Sequence, residues 1–427
     1  MRAFLSCLVC RIVTFVLHKL GRGATSMPGK VALKVKRNVL KDLSKNTKVI
    51  VVTGTNGKTT SCRILEEGLK KAGKSYFINK SGANLITGVT ASFIMNSTVT
   101  GKCKKDYAII ECDENAFKEV SRYIHCDVIL VTNVFRDQLD RYGEVTHTLN
   151  AIKESVKNLP NAIVCLDADC SLTYSMSKEI PNKIITFGVN VPFDKNAKAP
   201  EISDAKYCIF CKHEYDYTYH TYGHLGGFVC NNCGYKRPQP DFAVESVEEM
   251  KNDHSVVVAN LNGDRNIIKV NIGGAYNIYN AIGCAAALTA LGIEQKNIID
   301  AIENFNGAFG RMEHFKAGNN TVNLILVKNP AGFSQTMNFL KSIDDDFTLI
   351  LSLNDNAADG RDISWIWDVD FSGIFDKPNV KELYVTGKRC YDMAVRVKYE
   401  GVGNREIKII ENEDYNKLVD VATSQGR

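Results

Sequence analysis

Val49-Ile50-Val51-Val52-Thr53-Gly54-Thr55-Asn56-Gly57-Lys58-Thr59-Thr60 decides the fold. Four consecutive β-branched residues read as a strand buried on both faces. The glycine-rich turn after them lets backbone amides curl around an anion. The amphipathic stretch Ser61 to Ala72 then supplies a helix whose N-terminus adds positive potential. Lys58 neutralises phosphate charge and Thr59 can reach a magnesium ion. Gly54, Thr55, Asn56, Gly57, Lys58, Thr59 and Thr60 therefore form a candidate nucleotide loop. The strict phosphate-loop pattern places glycine at position 52, where this chain has Val52. An ordinary strand-to-helix turn rarely needs Gly-Lys-Thr-Thr after such a strand.

Working outward, the apolar runs Tyr107 to Ile110, Val128 to Val131 and Ala162 to Leu166 alternate with helical stretches, which predicts parallel strands joined by crossovers. Composition shifts abruptly at 201–240, where Cys, Tyr, His and Gly dominate. Ala275 to Leu291 reads as a helix, and so does Asn297 to Phe305. After a turn at Gly310-Arg311 a second, smaller α/β unit is expected. Its strands are Val322 to Val327, Phe347 to Leu351, Leu383 to Val385 and Ile407 to Ile410, with helices near 334–342 and 391–398. At 427 residues the chain is long enough for more than one domain. The divisions expected are a helical segment at 1–46, a nucleotide-binding domain at 47–313 containing the insert 201–240, and a carboxyl-terminal domain at 314–427.

The hydrophobic content of 44% can fill real cores, and the net charge of +5 is spread along the chain. No basic run argues for nucleic acid. The fourteen cysteines suggest disulfides by number and thiols by placement. Cys62, Cys112, Cys126, Cys165 and Cys284 lie in apolar or helical patterns, where a thiol acts as a small hydrophobe, and a reducing, cytoplasmic compartment is expected. Phe4 to Leu20 is apolar but interrupted by Arg11, His18 and Lys19, too short and broken for a membrane span. It reads as an amphipathic helix that packs on the protein or brushes a membrane surface, in preference to an export signal, because no small-x-small cleavage site follows.

Cys208-Ile209-Phe210-Cys211 and Cys230-Asn231-Asn232-Cys233 make a C-x2-C, x18, C-x2-C array, a zinc-site spacing. Four thiolates complete a tetrahedral shell with no open position, so Cys208, Cys211, Cys230 and Cys233 are expected to hold a structural zinc. Reduced, unligated thiols are the bland alternative. His213, His220 and His224 lie nearby, but four cysteines already satisfy the ion.

The loop T-G-T-N-G-K-T-T (53–60) resembles that of the Mur ligase and folylpolyglutamate synthase superfamily. Glu111, ending the strand that begins at Tyr107, resembles the family's magnesium-binding glutamate. T-N-V-F-R-D-Q-L-D-R (132–141) resembles its N-x-x-x-D-H-L-D-R segment. G-A-Y-N-I-Y-N-A (274–281) resembles its adenine-contacting helix start, and G-R-M-E (310–313) the turn whose arginine reaches the ATP phosphates. The resemblance implies an ATP- and magnesium-dependent carbon–nitrogen ligase, with Lys58 and Glu111 catalytic, Asn277 and Arg311 on the nucleotide, and Thr59 and Glu111 on magnesium. Taken singly, Glu111 could end a strand, Asn277 cap a helix and Arg311 pair with a surface carboxylate; taken with the loop, function is favoured. Gln138 stands where many members place a metal-ligating histidine. Lys153 falls where a carbamylated lysine occurs in other members, although a helical lysine is more often solvated. Use of a second magnesium or of a carbamylated lysine stays open.

Lys328-Asn329-Pro330-Ala331-Gly332 replaces the D-Y-A-H-x-P segment of members that bind a free amino acid. That segment, the four-cysteine insert, L-G-R-G (20–23), P-G-K (28–30) and the block L-N-D-N-A-A-D-G-R-D-I-S-W-I-W-D (353–368) resemble the MurT family over nearly the whole chain. The fold implied is α/β: a Mur-ligase-like phosphate-loop domain with a parallel sheet, an inserted four-cysteine zinc ribbon, and a smaller Rossmann-like α/β domain. The function implied is peptidoglycan synthesis. ATP phosphorylates the α-carboxylate of D-glutamate in the lipid II stem peptide, and ammonia from a GatD-type glutaminase partner attacks the acyl phosphate. This chain would lend the partner's cysteine and histidine an aspartate from among Asp355, Asp359 and Asp362; position in A-D-G-x-D selects Asp362. Trp365 and Trp367 read as core or interface anchors. By the same comparison one more strand and helix are expected after Tyr415 to Ala422, and a truncated domain is one reading. Rival readings are a self-sufficient amino-acid ligase, which Lys328 speaks against, and a non-catalytic nucleotide-binding assembly protein.

Overall fold

The computed structural model describes residues 2–21, 26–79, 83–136, 145–193, 204–251, 253–305, 311–318, 320–341, 343–356, 359–403, 405–411 and 414–424, the side chains of 311–315 excepted. The chain forms two compact units, Met1–Val134 with Thr146–Asn306, and Phe135–Val145 with Gly307–Arg427.

The first unit opens with α1 (Arg2–Lys19), α2 (Met27–Val35) and α3 (Val39–Ser44), then β1 (Lys48–Thr53), α4 (Lys58–Lys71), β2 (Tyr76–Ile78), α5 (Ile86–Met95), β3 (Tyr107–Glu111) and α6 (Glu114–Val120). It continues with β4 (Val128–Val131), α7 (Val145–Lys157), β5 (Ile163–Asp167), the short α8 (Ser171–Ser175) and β6 (Ile184–Val189). A hairpin, β7 (Asp216–His220) and β8 (Gly226–Val229), precedes β9 (Phe242–Met250), β10 (Ser255–Leu261), β11 (Asp264–Val270), α9 (Ala275–Ala290) and α10 (Gln295–Glu303).

Nine strands make one sheet in the order β11-β10-β9-β6-β5-β4-β1-β3-β2. From β2 to β9 every pairing is parallel, and β9, β10 and β11 pair antiparallel. The two parts differ for a sequence reason. In β1, Val49 to Val52 are wholly buried, as a strand between two helical layers must be. In β11, by contrast, Asp264 and Arg265 are exposed while Ile268 and Val270 are buried. The β10–β11 turn is Asn262-Gly263 with φ of 56° and 108°, the doubly left-handed turn that matches the twist of a two-residue hairpin. On one face α4 packs against α9 and α10, and Gly68 sits so close to Leu288 that an added Cβ would lie 2.5 Å from its Cδ1.

β1 lies between β3 and β4. The chain fills the sheet to one side through β2 and β3, then crosses to the other through β4, β5 and β6. The carboxyl end of β1 is thus a topological switch point, where open α/β sheets leave a crevice for ligands.

The second unit contains a hairpin, β12 (Arg311–Ala317) and β13 (Asn320–Ile325), then α11 (Pro330–Lys341), β14 (Phe347–Ser352), β15 (Val380–Thr386), α12 (Cys390–Glu400), β16 (Ile407–Ile409) and α13 (Tyr415–Thr423). Two details correct the expectation. Arg311 opens a strand where a turn was expected, and the strand expected at Val322 to Val327 is the outer half of this antiparallel hairpin, paired with β12. Leu324 is exposed and Val322 only half-buried, so the segment lacks the second covered face that a strand inside a parallel sheet needs. The parallel sheet here has three strands, β14-β15-β16. Its core gathers Phe333, Leu351, Trp365, Phe371, Val385 and Met393. The sequence boundary at 314 falls inside β12, and the compact unit begins at Gly307.

Candidate nucleotide loop, cysteine cluster and acidic loop

Parallel register brings the loop residues together. Val52 on β1 lies beside Glu111 on β3, and Thr53 beside Val131 on β4. Each neighbouring strand therefore delivers its next residues to the loop after β1. Glu111 presents its Oε1 3.2 Å from the Thr59 hydroxyl, so the two expected magnesium ligands meet. Asn79 fixes the main chain of that glutamate, accepting from its N–H at 2.8 Å and donating to its carbonyl at 2.9 Å. From β4, Asn133 grips the loop at three points. Its Oδ1 accepts from the Asn56 N–H (3.0 Å), its Nδ2 donates to the Asn56 carbonyl (3.2 Å), and its carbonyl accepts from the Thr55 N–H (2.9 Å).

Gly54 and Gly57 have φ of 117° and 87°. A Cβ on Gly54 would stand 2.4 Å from Thr132 Oγ1, and one on Gly57 would stand 2.1 Å from Asn280 Oδ1. Both space and dihedral demand glycine there. The second clash also places α9 against the loop. At its start Asn277 donates to the Gly273 carbonyl (2.6 Å) and accepts from Asn280 Nδ2 (3.0 Å).

Lys58 is buried. Its ammonium donates to the Gly54 carbonyl at 2.6 Å and to Glu114 Oε1 at 2.7 Å. Glu114 is buried too, at the start of α6, where Asp113 caps the helix by accepting from the Asn115 and Ala116 amides. The sequence reading did not single out Glu114; its signal is the acid-rich Glu111-Cys112-Asp113-Glu114 closing β3. The thiols nearby are not reactive groups, since burial pushes those of Cys62, Cys112 and Cys284 upward. Arg311 is placed only by its backbone in β12, and Gln138 lies outside the described residues. Lys153 pairs with Glu179 at 3.0 Å.

In the insert, the sulfurs of Cys208, Cys211, Cys230 and Cys233 all lie within 4.8 Å of one another, with Cys208–Cys233 at 3.6 Å and Cys211–Cys230 at 3.4 Å. Four sulfurs at zinc–sulfur bonds of about 2.3 Å stand roughly 3.8 Å apart, so the donor set fits a tetrahedral ion. The two C-x2-C turns repeat one hydrogen-bond pattern. Cys208 N–H donates to His213 and Lys212 N–H to Cys208, as Cys230 N–H donates to Tyr235 and Gly234 N–H to Cys230. Each turn closes on a left-handed residue, Lys212 at 63° and Gly234 at 75°. No histidine joins the cluster among the described residues. His224 is buried with Nε2 3.3 Å from Cys170 Sγ, and the His220 ring stacks on Tyr217. Tyr215, Phe228 and Tyr235 form the small core beneath, and Arg237 ties the insert to the sheet through the buried Asp169 at 2.6 Å.

In the second unit Asn329 Oδ1 caps α11 by accepting from the Gly332 N–H (2.8 Å), which explains N-P-A-G as a helix start with proline in the first turn. The three candidate aspartates have different settings. Asp355 accepts from Arg389 (3.1 Å), a guanidinium also held bidentately by Asp392. Asp359 accepts from Asn356 Nδ2 (2.9 Å). Asp362 accepts from the Ser364 N–H (2.8 Å) and lines a surface cleft with Arg361, Trp367, Arg389 and Tyr391. Trp365 is in the core, whereas Trp367 is half exposed with the Arg396 guanidinium 5.5 Å from its ring.

Residues 52–233 match the Mur ligase middle domain and residues 326–427 the MurT ligase C-terminal domain. The chain is 36% identical to the lipid II isoglutaminyl synthase (glutamine-hydrolyzing) subunit MurT of Streptococcus pneumoniae, over 99% of this chain and 95% of that one. The chain belongs to the MurT family. The MurT subunit of Staphylococcus aureus is 31% identical over 98% of this chain and 92% of its own. In fold the chain resembles MurF from Acinetobacter baumannii (TM-score 0.66, 15% identity, 92% of this chain and 75% of that one). It also resembles a pseudomurein peptide ligase type C from Methanothermus fervidus (TM-score 0.63, 23% identity, 86% and 67%). The loop, Glu111 and the pair Asn277 and Asn280 come from three distant segments and meet at one end of the parallel sheet. Asn79 and Glu114 complete that cluster and were not legible beforehand.

Proposed function

We propose that this chain is the ligase subunit of a glutamine-dependent lipid II amidating enzyme, supported above all by the convergence of Lys58, Thr59 and Glu111 on the loop after β1. A carboxylate is a poor electrophile until phosphorylation gives it a leaving group. An oxygen of the D-glutamate α-carboxylate attacks the γ-phosphorus of ATP, the β–γ bridging bond breaks and ADP leaves. Ammonia then attacks the acyl carbon, the carbon–oxygen bond to phosphate breaks, and loss of a proton gives the amide. Lys58 and Arg311 stabilise charge on the transferring group, and the loop amides hold the phosphates. Thr59 and Glu111 would hold magnesium, which supplies charge neutralisation at the phosphates. Asn277 at the start of α9 is assigned to the adenine end. Cys208, Cys211, Cys230 and Cys233 would hold a zinc that is structural, because the shell has no open position.

Ammonia is largely ammonium at neutral pH, so local release from a GatD-type glutaminase partner helps. Asp362 is assigned to orient that partner's histidine. It is chosen because it lines a surface cleft beside the exposed Trp367. Since the substrate is lipid-linked, the enzyme acts in the cytoplasm at the inner face of the plasma membrane.

The test is reconstitution with a small glutaminase and a soluble muropeptide. Glutamine supports amidation only with the partner present, and ammonium supports it without. Consumption of a free amino acid by the chain alone would overturn the reading. Asp362→Asn lowers the glutaminase rate of the complex by roughly 10⁴-fold, the cost of a mis-set tautomer in a triad, while ammonium-driven amidation persists. Unchanged glutaminase activity removes Asp362 from this role.

A further inference from the structure

Helix α1 is built inside out. Its packed face carries Ser6, Cys7, Cys10, Thr14 and Leu17, buried against neighbouring helices. Its solvent face carries Phe4, Leu5, Ile12, Phe15 and Val16, with exposures of 44, 48, 53, 60 and 47%. At 3.6 residues per turn these five fall on one side of the helix, opposite the buried set. An apolar stripe three turns long, left in water on a helix whose inner face is the more polar, marks an interaction site.

The charges say what covers it. The first 41 residues contain nine Lys and Arg and no Asp or Glu. Arg2 and Lys19 bracket the stripe, and the Lys19 ammonium sits 5.0 Å from the centre of the Phe15 ring. On α2 the side chains of Lys30 and Lys34 are exposed. A basic margin around an apolar stripe complements an anionic lipid surface, where headgroups meet the charges and acyl chains take the aromatic and aliphatic side chains. The helix does not span. Arg11, at its middle, donates to the Ile94 and Ser97 carbonyls, and Ser6 Oγ donates to the Ala32 carbonyl at 2.8 Å, so one face stays locked to the protein. Among the described residues no helix is long and apolar enough to cross a membrane.

We propose that the outer face of α1 is an interfacial membrane-binding site that lies in the plane of an anionic bilayer. Its benefit to catalysis rests on the lipid-linked substrate proposed above; the binding itself does not.

The experiment uses the full chain with vesicles of phosphatidylcholine alone or enriched in phosphatidylglycerol, without nucleotide or substrate. Co-sedimentation is expected with the anionic vesicles, weakening with added salt. Ile12→Ser with Phe15→Ser lowers partitioning by at least about tenfold, and Arg2→Ser with Lys19→Ser by roughly tenfold. Amidation of a soluble muropeptide is unchanged in both, which separates this proposal from the ligase reading and reports correct folding. In Phe15→Trp, tryptophan emission shifts to shorter wavelength on adding anionic vesicles. Equal partitioning of wild type and the Ile12/Phe15 variant would overturn the proposal. So would a concentration-dependent dimer that the same substitutions dissolve, because the face would then belong to a second copy of the chain.

Discussion

The phosphate loop and the cysteine turns solve similar problems with opposite economies. Both bend the backbone through left-handed residues to gather groups around an ion. The loop is braced by the protein's own groups: Asn133 holds the Thr55 and Asn56 backbone, and Lys58 rests between the Gly54 carbonyl and Glu114. The cysteine turns have only a small aromatic core beneath them and bring four sulfurs face to face. One region is held by its own side chains; the other, on the zinc reading proposed above, would take its rigidity from the ion.

Metal removal should break that comparison most severely. Structural zinc in small sites contributes on the order of 10 kcal/mol, so a strong chelator, or Cys211→Ser with Cys230→Ser, should open the insert to proteolysis within 204–237. The nine-stranded sheet should still melt cooperatively, and an insert equally protected without metal would show that its aromatic core suffices. Next comes Lys58→Met, which should lower the amidation rate by roughly 10³-fold, the scale of losing one group that stabilises developing charge. Because the buried Glu114 then loses its ion pair, the melting temperature should fall as well, and Lys58→Met with Glu114→Gln should restore the melting temperature without the rate.

Two glycines sharpen the contrast. Gly57→Ala places a Cβ 2.1 Å from Asn280 Oδ1 and should lower ATP affinity measurably by displacing α9 from the loop. Gly234→Ala meets nothing within 4 Å and should cost only about 1 kcal/mol for the left-handed backbone. Lys212 occupies the equivalent place in the first turn, so a larger loss at Gly234 would refute their equivalence.

A separate effect is expected in acid. Burial pushes the His224 imidazole down to about 4 from its ordinary 6.5. Between those values the unfolded chain binds the proton and the folded chain does not, so stability is complete above about pH 6.5 and declines as pH falls toward 4. The total is about 3 kcal/mol, and His224→Gln should flatten that limb of a stability-versus-pH curve. An unchanged slope would assign it to another group.

What could be read beforehand follows the same physics. Strands β1, β3, β4 and β5 announce themselves because burial on both faces leaves unbroken apolar runs. The edge strand β11 and the β12–β13 hairpin mix polar with apolar residues, which leaves no unbroken apolar run to announce them. Gly54, Gly57 and Lys58 were legible because their chemistry is contiguous. Asn79 and Glu114 were not, because their importance arises only when parallel register sets the ends of β3 and β1 side by side.

The embrace of Lys58 by Glu114 has a thermodynamic corollary. On the nucleotide reading proposed above, a triphosphate would not meet a bare cation; it would have to take over a lysine whose charge is already balanced by a buried carboxylate. Occupation would then be an exchange of one anion for another, its net strength a difference between two large terms, and the departing product would be helped out by the side chain it displaced.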